Sequence, residues 1–239
     1  MEKKETDVTK IFLVIVTIIV LIVAVVGASF AYFNAATTTG NLTNKINTAT
    51  AEYGTLSVGY PGTNGSIEMS TIDLPYSTRS SKPIVQRLLK FTVTASADAN
   101  TDVAFNLKWG GVANVSNNFC QYRSSVTTCT NVNTDTDVRG ELYFNLYECS
   151  EAGYTNTTIA NDVVTIGEGC TALAENVNAP YTDAEKTAKL NDTPRIIDIS
   201  QSRIKYYALT LNLKNLTTVQ DYNQGKTFTG ALSIEGATN

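Results

Sequence analysis

The residues with the most distinctive chemistry are four cysteines, Cys120, Cys129, Cys149 and Cys170, all in the middle of the chain. In an exported protein an even count reads as disulfides. Three pairings are open. The local one, Cys120–Cys129 with Cys149–Cys170, is favoured because each bridge then staples a loop with little regular structure of its own. The rival is a zinc site with all four thiolates as ligands, which the lack of a close Cys-x-x-Cys knuckle disfavours. Histidine is absent, which removes the commonest general base and the commonest transition-metal ligand together. Asn133-Thr134-Asp135-Thr136-Asp137 alternates oxygen ligands as a calcium loop does, but Gly and Glu are not at EF-hand spacing, so a solvated turn is expected. No carboxylate pair or serine–lysine arrangement stands out by spacing. The expectation is a protein that is not an enzyme and takes no metal or cofactor.

Charge points the same way. The formal net charge is −4, and the lysines and arginines are scattered, so there is no basic footprint for nucleic acid. Only 17% of residues are charged while Thr and Asn are abundant, a balance typical of extracellular β proteins with Thr-rich outer faces. Six glycosylation sequons, at Asn41, Asn64, Asn114, Asn156, Asn191 and Asn215, follow largely from that composition. Trp109 could offer a platform for a sugar, but it lies in alternating phase with Phe105 and Leu107 and reads as core. Tyr206 and Tyr207 must point to opposite faces of a strand, so at most one of them is buried.

What would carry this body outward is residues 11 to 33. From Ile11 to Val26 there is no charge, Pro or Gly, and at roughly 1.5 Å per helical residue the run crosses most of a hydrocarbon core. Residues 1–31 therefore read as a signal peptide or a signal anchor. Small residues at Ser29 and Ala31 place cleavage between Ala31 and Tyr32; an uncleaved segment would hold the protein in the membrane through residues 11–33. Residues 32–50 are polar and form a flexible leader, either a linker or a donor strand, with Tyr32, Phe33, Leu42 and Ile46 as its apolar anchors.

The rest alternates with a period of two. Leu56, Val58 and Tyr60 form one row; Ile67 and Met69, then Ile72 and Leu74, an irregular second. Phe91, Val93 and Ala95, then Val103, Phe105, Leu107 and Trp109, and later Leu142, Phe144 and Leu146, form the clearest rows. Residues 112–192 hold the cysteines and read as a disulfide-bearing insertion, with one short helix where Thr182 to Glu185 resembles a capping box. Strands without intervening helices predict an all-β fold over 51–239: an antiparallel β-sandwich, jelly-roll or Ig-like, preceded by the N-terminal hydrophobic helix.

Three stretches carry a resemblance: Gly27-Ala-Ser-Phe-Ala-Tyr-Phe-Asn34, then Thr48-Ala-Thr-Ala-Glu-Tyr-Gly-Thr-Leu-Ser-Val58, and the Tyr207–Glu235 end with its Leu-Thr-Leu-Asn-Leu, Gln220, Gln224-Gly-Lys and Phe228. Together they resemble the TasA and camelysin family of secreted biofilm-matrix fibre proteins, which a SipW-type signal peptidase processes. The resemblance covers about a quarter of the chain, and the four cysteines and longer apolar segment depart from the family pattern. It implies a jelly-roll subunit that passes its N-terminal strand into the next molecule, so that the partners are copies of itself in a filament. Such assembly is heterologous and open. The expected role is therefore that of an extracellular structural protein, secreted or at the cell surface. The alternative from another class is a membrane-anchored surface binding module or adhesin that recognises glycan or protein.

Overall fold

Side chains that alternate in polarity must point to opposite faces of an extended chain, and burying one face of each strand produces stacked sheets. The computed structural model of the protein describes residues 56–61, 65–70, 85–125, 128–134, 136–215 and 221–237. In chain order its strands are β1 (Leu56–Gly59), β2 (Ser66–Ser70), β3 (Val85–Ala95), β4 (Val103–Trp109), β5 (Val115–Asn117), β6 (Tyr122–Arg123), β7 (Cys129–Thr130) and β8 (Val138–Arg139). They continue with β9 (Leu142–Cys149), β10 (Thr158–Ala160), β11 (Val163–Thr165), β12 (Cys170–Asn178), β13 (Arg195–Ile197), β14 (Ile204–Leu213) and β15 (Thr227–Gly236). Among the described residues one α-helix, α1 (Glu151–Asn156), interrupts them.

Every pairing is antiparallel. One five-stranded sheet has the order β1-β3-β14-β9-β12; the other has β13-β4-β15-β2, with β5 also paired to β15. The expected rows meet between them. Leu89, Phe91 and Val93 of β3, Phe144 and Leu146 of β9, and Tyr207, Leu209 and Leu211 of β14 share one buried core with Phe105, Leu107 and Trp109 of β4 and Phe228, Leu232 and Ile234 of β15. Fully burying a large apolar side chain contributes about 1.5–3 kcal/mol each, so this layer dominates stability. Its aromatic rings interlock across the sheets. Tyr207 stacks on Phe91 at 5.2 Å and meets Phe105 edge-on at 6.3 Å; Trp109 stands edge-on to Phe144 and Phe228 at 5.3 and 5.8 Å. Trp109 is thus a core residue, and Tyr207, not Tyr206, is the buried member of its pair.

The stretch 112–192 is spread over several sheets: β5 joins β15 and β10 pairs with β11. Its strands β9 and β12 belong to the main sheet, while β6, β7 and β8 form a small separate sheet in the order β7-β6-β8. Besides the short strands β5 to β8 and β10, two longer elements there have no counterpart in the expected pattern. The edge strand β12 is mostly exposed and breaks register with β9 twice; short of buried positions, it has no period to read. The six residues of α1 are too few for a helical period, and it is set by Ser150, whose Oγ accepts from Gly153 N at 3.1 Å. Conversely, the expected helix after Thr182 is a 3-10 turn over Glu185–Thr187. The capping box forms, with Glu185 Oε2 accepting from Thr182 N at 3.0 Å and Thr182 Oγ1 from Glu185 N at 3.3 Å. The helix goes no further because the chain is drawn onto β4, where Leu190 N donates to Leu107 O at 2.8 Å. Ile72 and Leu74 lie outside the described residues, as do residues 1–55, including the hydrophobic segment expected over 11–33.

Candidate strand-acceptor edge

A strand that pairs on one side only leaves its outward N–H and C=O groups for another chain or for water. In the main sheet β3 is eleven residues long and pairs with β14 along its whole length, from Val85↔Leu213 to Thr94↔Ile204. On its other flank β1 covers only Thr92 to Ala95. β1 ends at Gly59, and Pro61, which has no N–H to donate, follows it.

The direction of each exposed group follows from one hydrogen bond. Gln86 N donates to Asp162 O at 2.9 Å, away from β14. Antiparallel alternation then turns the N–H and C=O groups of Leu88 and Lys90 to that same side. Among the described residues no strand pairs with them there. Beyond Gln86 the flank is bounded by the β10–β11 hairpin, whose two-residue turn has Asn161 and Asp162 at φ of 49° and 60°, as a type I′ turn requires. The hairpin is pinned to β3 by an Arg87–Asp162 ion pair and by Val164 N donating to Gln86 Oε1 at 2.9 Å. It holds Ile159 and Val163 at 41% and 50% exposure close to the open flank.

The outer face beside this flank is braced by the second disulfide. Cys149 and Cys170 stand directly opposite each other on β9 and β12 and are bridged. With Tyr154 and Ala208 buried beside them, they form a small apolar cluster against which Leu88 and Tyr206 pack. Lys90 closes it. Its Nζ lies 4.4 Å from the centre of the Tyr154 ring and donates to Thr157 O at 3.0 Å, at the C-terminal end of α1, where a cation is favoured. Burial lowers the Lys90 ammonium from its usual range and, with the neighbouring Tyr206, pushes the Tyr154 phenol up to about 12.

The first disulfide, Cys120–Cys129, joins the loop before β6 to strand β7 of the small sheet. No described cysteine is free, and two disulfides are the mark of an oxidising environment. The residues expected to matter most for assembly, Ala31, Tyr32, Phe33, Leu42 and Ile46, lie outside the described residues. So does Asp135; its neighbour Asp137 accepts from Thr134 N at 3.1 Å within its own turn, and no group of candidate metal ligands occurs among the described residues. Nor is any described helix long and apolar enough to cross a membrane.

Sequence patterning had no means of finding two carboxylate clusters. Glu148 Oε1 accepts from Lys205 Nζ and Oε2 from Arg195 Nε, each at 2.8 Å, and Tyr207 Oη donates to Oε2 at 3.2 Å. The second cluster is centred on Glu141, only 1% exposed, which accepts from Tyr222 Oη and, at 3.1 Å, from Asn223 Nδ2, with Arg123 Nε at 3.6 Å. Both join groups far apart in the chain, and both are arranged to hold elements together. No family model matches this chain, and neither a curated protein nor a solved structure does so.

Proposed function

We propose that this protein is a secreted or surface-held structural subunit that assembles into fibres by strand exchange, the segment 32–50 of one copy lying along β3 of the next. The single observation that carries the reading is the open flank of β3 at Leu88 and Lys90, whose backbone groups face outward with no partner among the described residues. Adding an extended segment at such an edge satisfies both sets of backbone groups at once.

Topology supports a jelly roll in particular. Leaving aside β1, β5 and the small sheets, eight strands remain, and their orders β3-β14-β9-β12 and β2-β15-β4-β13 are those of two interleaved Greek keys. This is the fold that the resemblance to biofilm-matrix fibre proteins implies. The patterning of the donor segment suits strand addition as well. Leu42 and Ile46 are four apart, so they face one side of an extended strand, and Lys45 faces the other. Cleavage after Ala31 would free that segment to reach a neighbour.

The test is assembly of residues 32–239. Thin filaments in electron micrographs, replaced by monomers when residues 32–50 are deleted, are the expected result. A protein that stays monomeric at high concentration would favour the anchored binding module instead.

A further inference from the structure

Beside the first disulfide lies an open cleft of about 520 Å³, lined among others by Asn117, Asn118, Gln121, Asn131, Tyr181 and Lys226. Its walls are held from several sides. Cys120 is bridged to Cys129, its N–H donates to Asn223 Oδ1 at 3.0 Å, and its carbonyl accepts from Tyr181 Oη at 2.8 Å. The Arg139 guanidinium lies over the Tyr181 ring, 5.0 Å from its centre. Asn117 is fixed by donating to Pro180 O at 3.1 Å and accepting from Phe119 N at 3.1 Å.

The polar chemistry of this lining is carried mainly by carboxamides. Among the described residues no carboxylate lines it. A carboxamide has two donors and an acceptor in one plane, a match for paired hydroxyls that each donate and accept. The side chains of Gln121 and Asn131 hydrogen-bond to no other group among the described residues, so two amides stand ready for a ligand. One lysine in a chain of net charge −4 is too little for a polyphosphate, and among the described lining residues polar groups outweigh the apolar ones that a peptide side chain would need. We infer that this cleft binds a hydroxyl-rich saccharide chain. The cleft shares no residue with the open flank of β3, so the inference stands whether or not strand exchange occurs. It would let a protein of this kind hold a polysaccharide on a surface braced by a disulfide.

The test is a titration of the 239-residue chain, in detergent, with a fluorescently labelled tetramer of N-acetylglucosamine followed by anisotropy. A parallel arm uses the glucose tetramer and another a labelled tetra-alanine peptide. Saturable binding of either saccharide is expected, weakened by roughly 3- to 10-fold in each of Gln121→Ala and Asn131→Ala. Both side chains lack internal bonds, so both variants should keep the parent melting temperature. No saccharide binding at roughly millimolar concentration, equal binding of the peptide, or unchanged affinity in both variants would overturn the inference.

Discussion

Arg195 Nε donates to Glu148 Oε2 at 2.8 Å, and in doing so ties β13 of one sheet to β9 of the other. The same carboxylate holds Lys205 and Tyr207 on β14, so one side chain fixes three strands. Burial by itself would raise the Glu148 carboxyl, but the hydrogen bonds and charges of Lys205 and Arg195 outweigh it and hold the group below the usual carboxylate range.

Glu148→Gln leaves Arg195 and Lys205 without their shared anion. A loss of about 2 kcal/mol is expected, the scale of hydrogen bonds to charged groups, read as a lower denaturation midpoint with an unchanged slope. The sign with pH follows from the lowered value. Glu148 contributes its stabilisation fully above its unfolded pKa of about 4.3 and loses it as pH falls through the lower folded value. The parent should therefore lose stability from about pH 4 downward more steeply than the variant, and parallel pH profiles would refute this.

Removing the bridge between β9 and β12 should weaken the main sheet at its edge. Its cysteines are 21 residues apart, and closing a loop of that size stabilises by about 3 kcal/mol on the chain-entropy model. Cys149→Ser with Cys170→Ser should cost about that much in chemical denaturation. The corresponding change at Cys120 and Cys129, 9 residues apart, should cost slightly less. Thermal melts with and without reductant check the direction for the parent.

Gly230 sits where β15 passes beneath the aromatic cluster. A Cβ there would lie 2.7 Å from Trp109 Cζ3 and 2.7 Å from Phe228 Cε1, inside any real contact. Gly230→Ala should destabilise by about 1–3 kcal/mol, as overpacking of a filled core does. Near-ultraviolet circular dichroism should change with it, since the single tryptophan is the ring displaced.

Proline tests the open flank by deleting one donor. The Leu88 N–H faces away from β14, so Leu88→Pro removes no bond of the sheet but one that an incoming strand would need. Filaments should disappear in Leu88→Pro and persist in Leu88→Ala, while both remain folded. Equal filament formation in the two would refute the role of this edge.

Much of the core was legible because alternation and burial are the same fact seen twice: Leu142, Phe144 and Leu146 are buried, and Tyr143, Asn145 and Tyr147 between them are not fully so. The local disulfide pairing was legible too, since short loops bring their ends together easily. What stayed hidden depends on partners distant in sequence. Glu148 and Lys205 are 57 residues apart, and nothing near either one announces the other. The open flank of β3 was hidden for the same reason, because pairing order is not written in the local pattern. β12 escaped because an exposed, bulged edge strand has no buried face to impose a period.

Hydrogen exchange at the amides of Leu88 and Lys90 tests strand exchange most directly. In the variant lacking residues 32–50 both amides should exchange nearly as fast as an open edge allows. In the assembled 32–239 protein they should slow by roughly 100-fold or more, as hydrogen-bonded strand amides do. Equal rates in the two, with filaments present, would show that the subunits meet elsewhere.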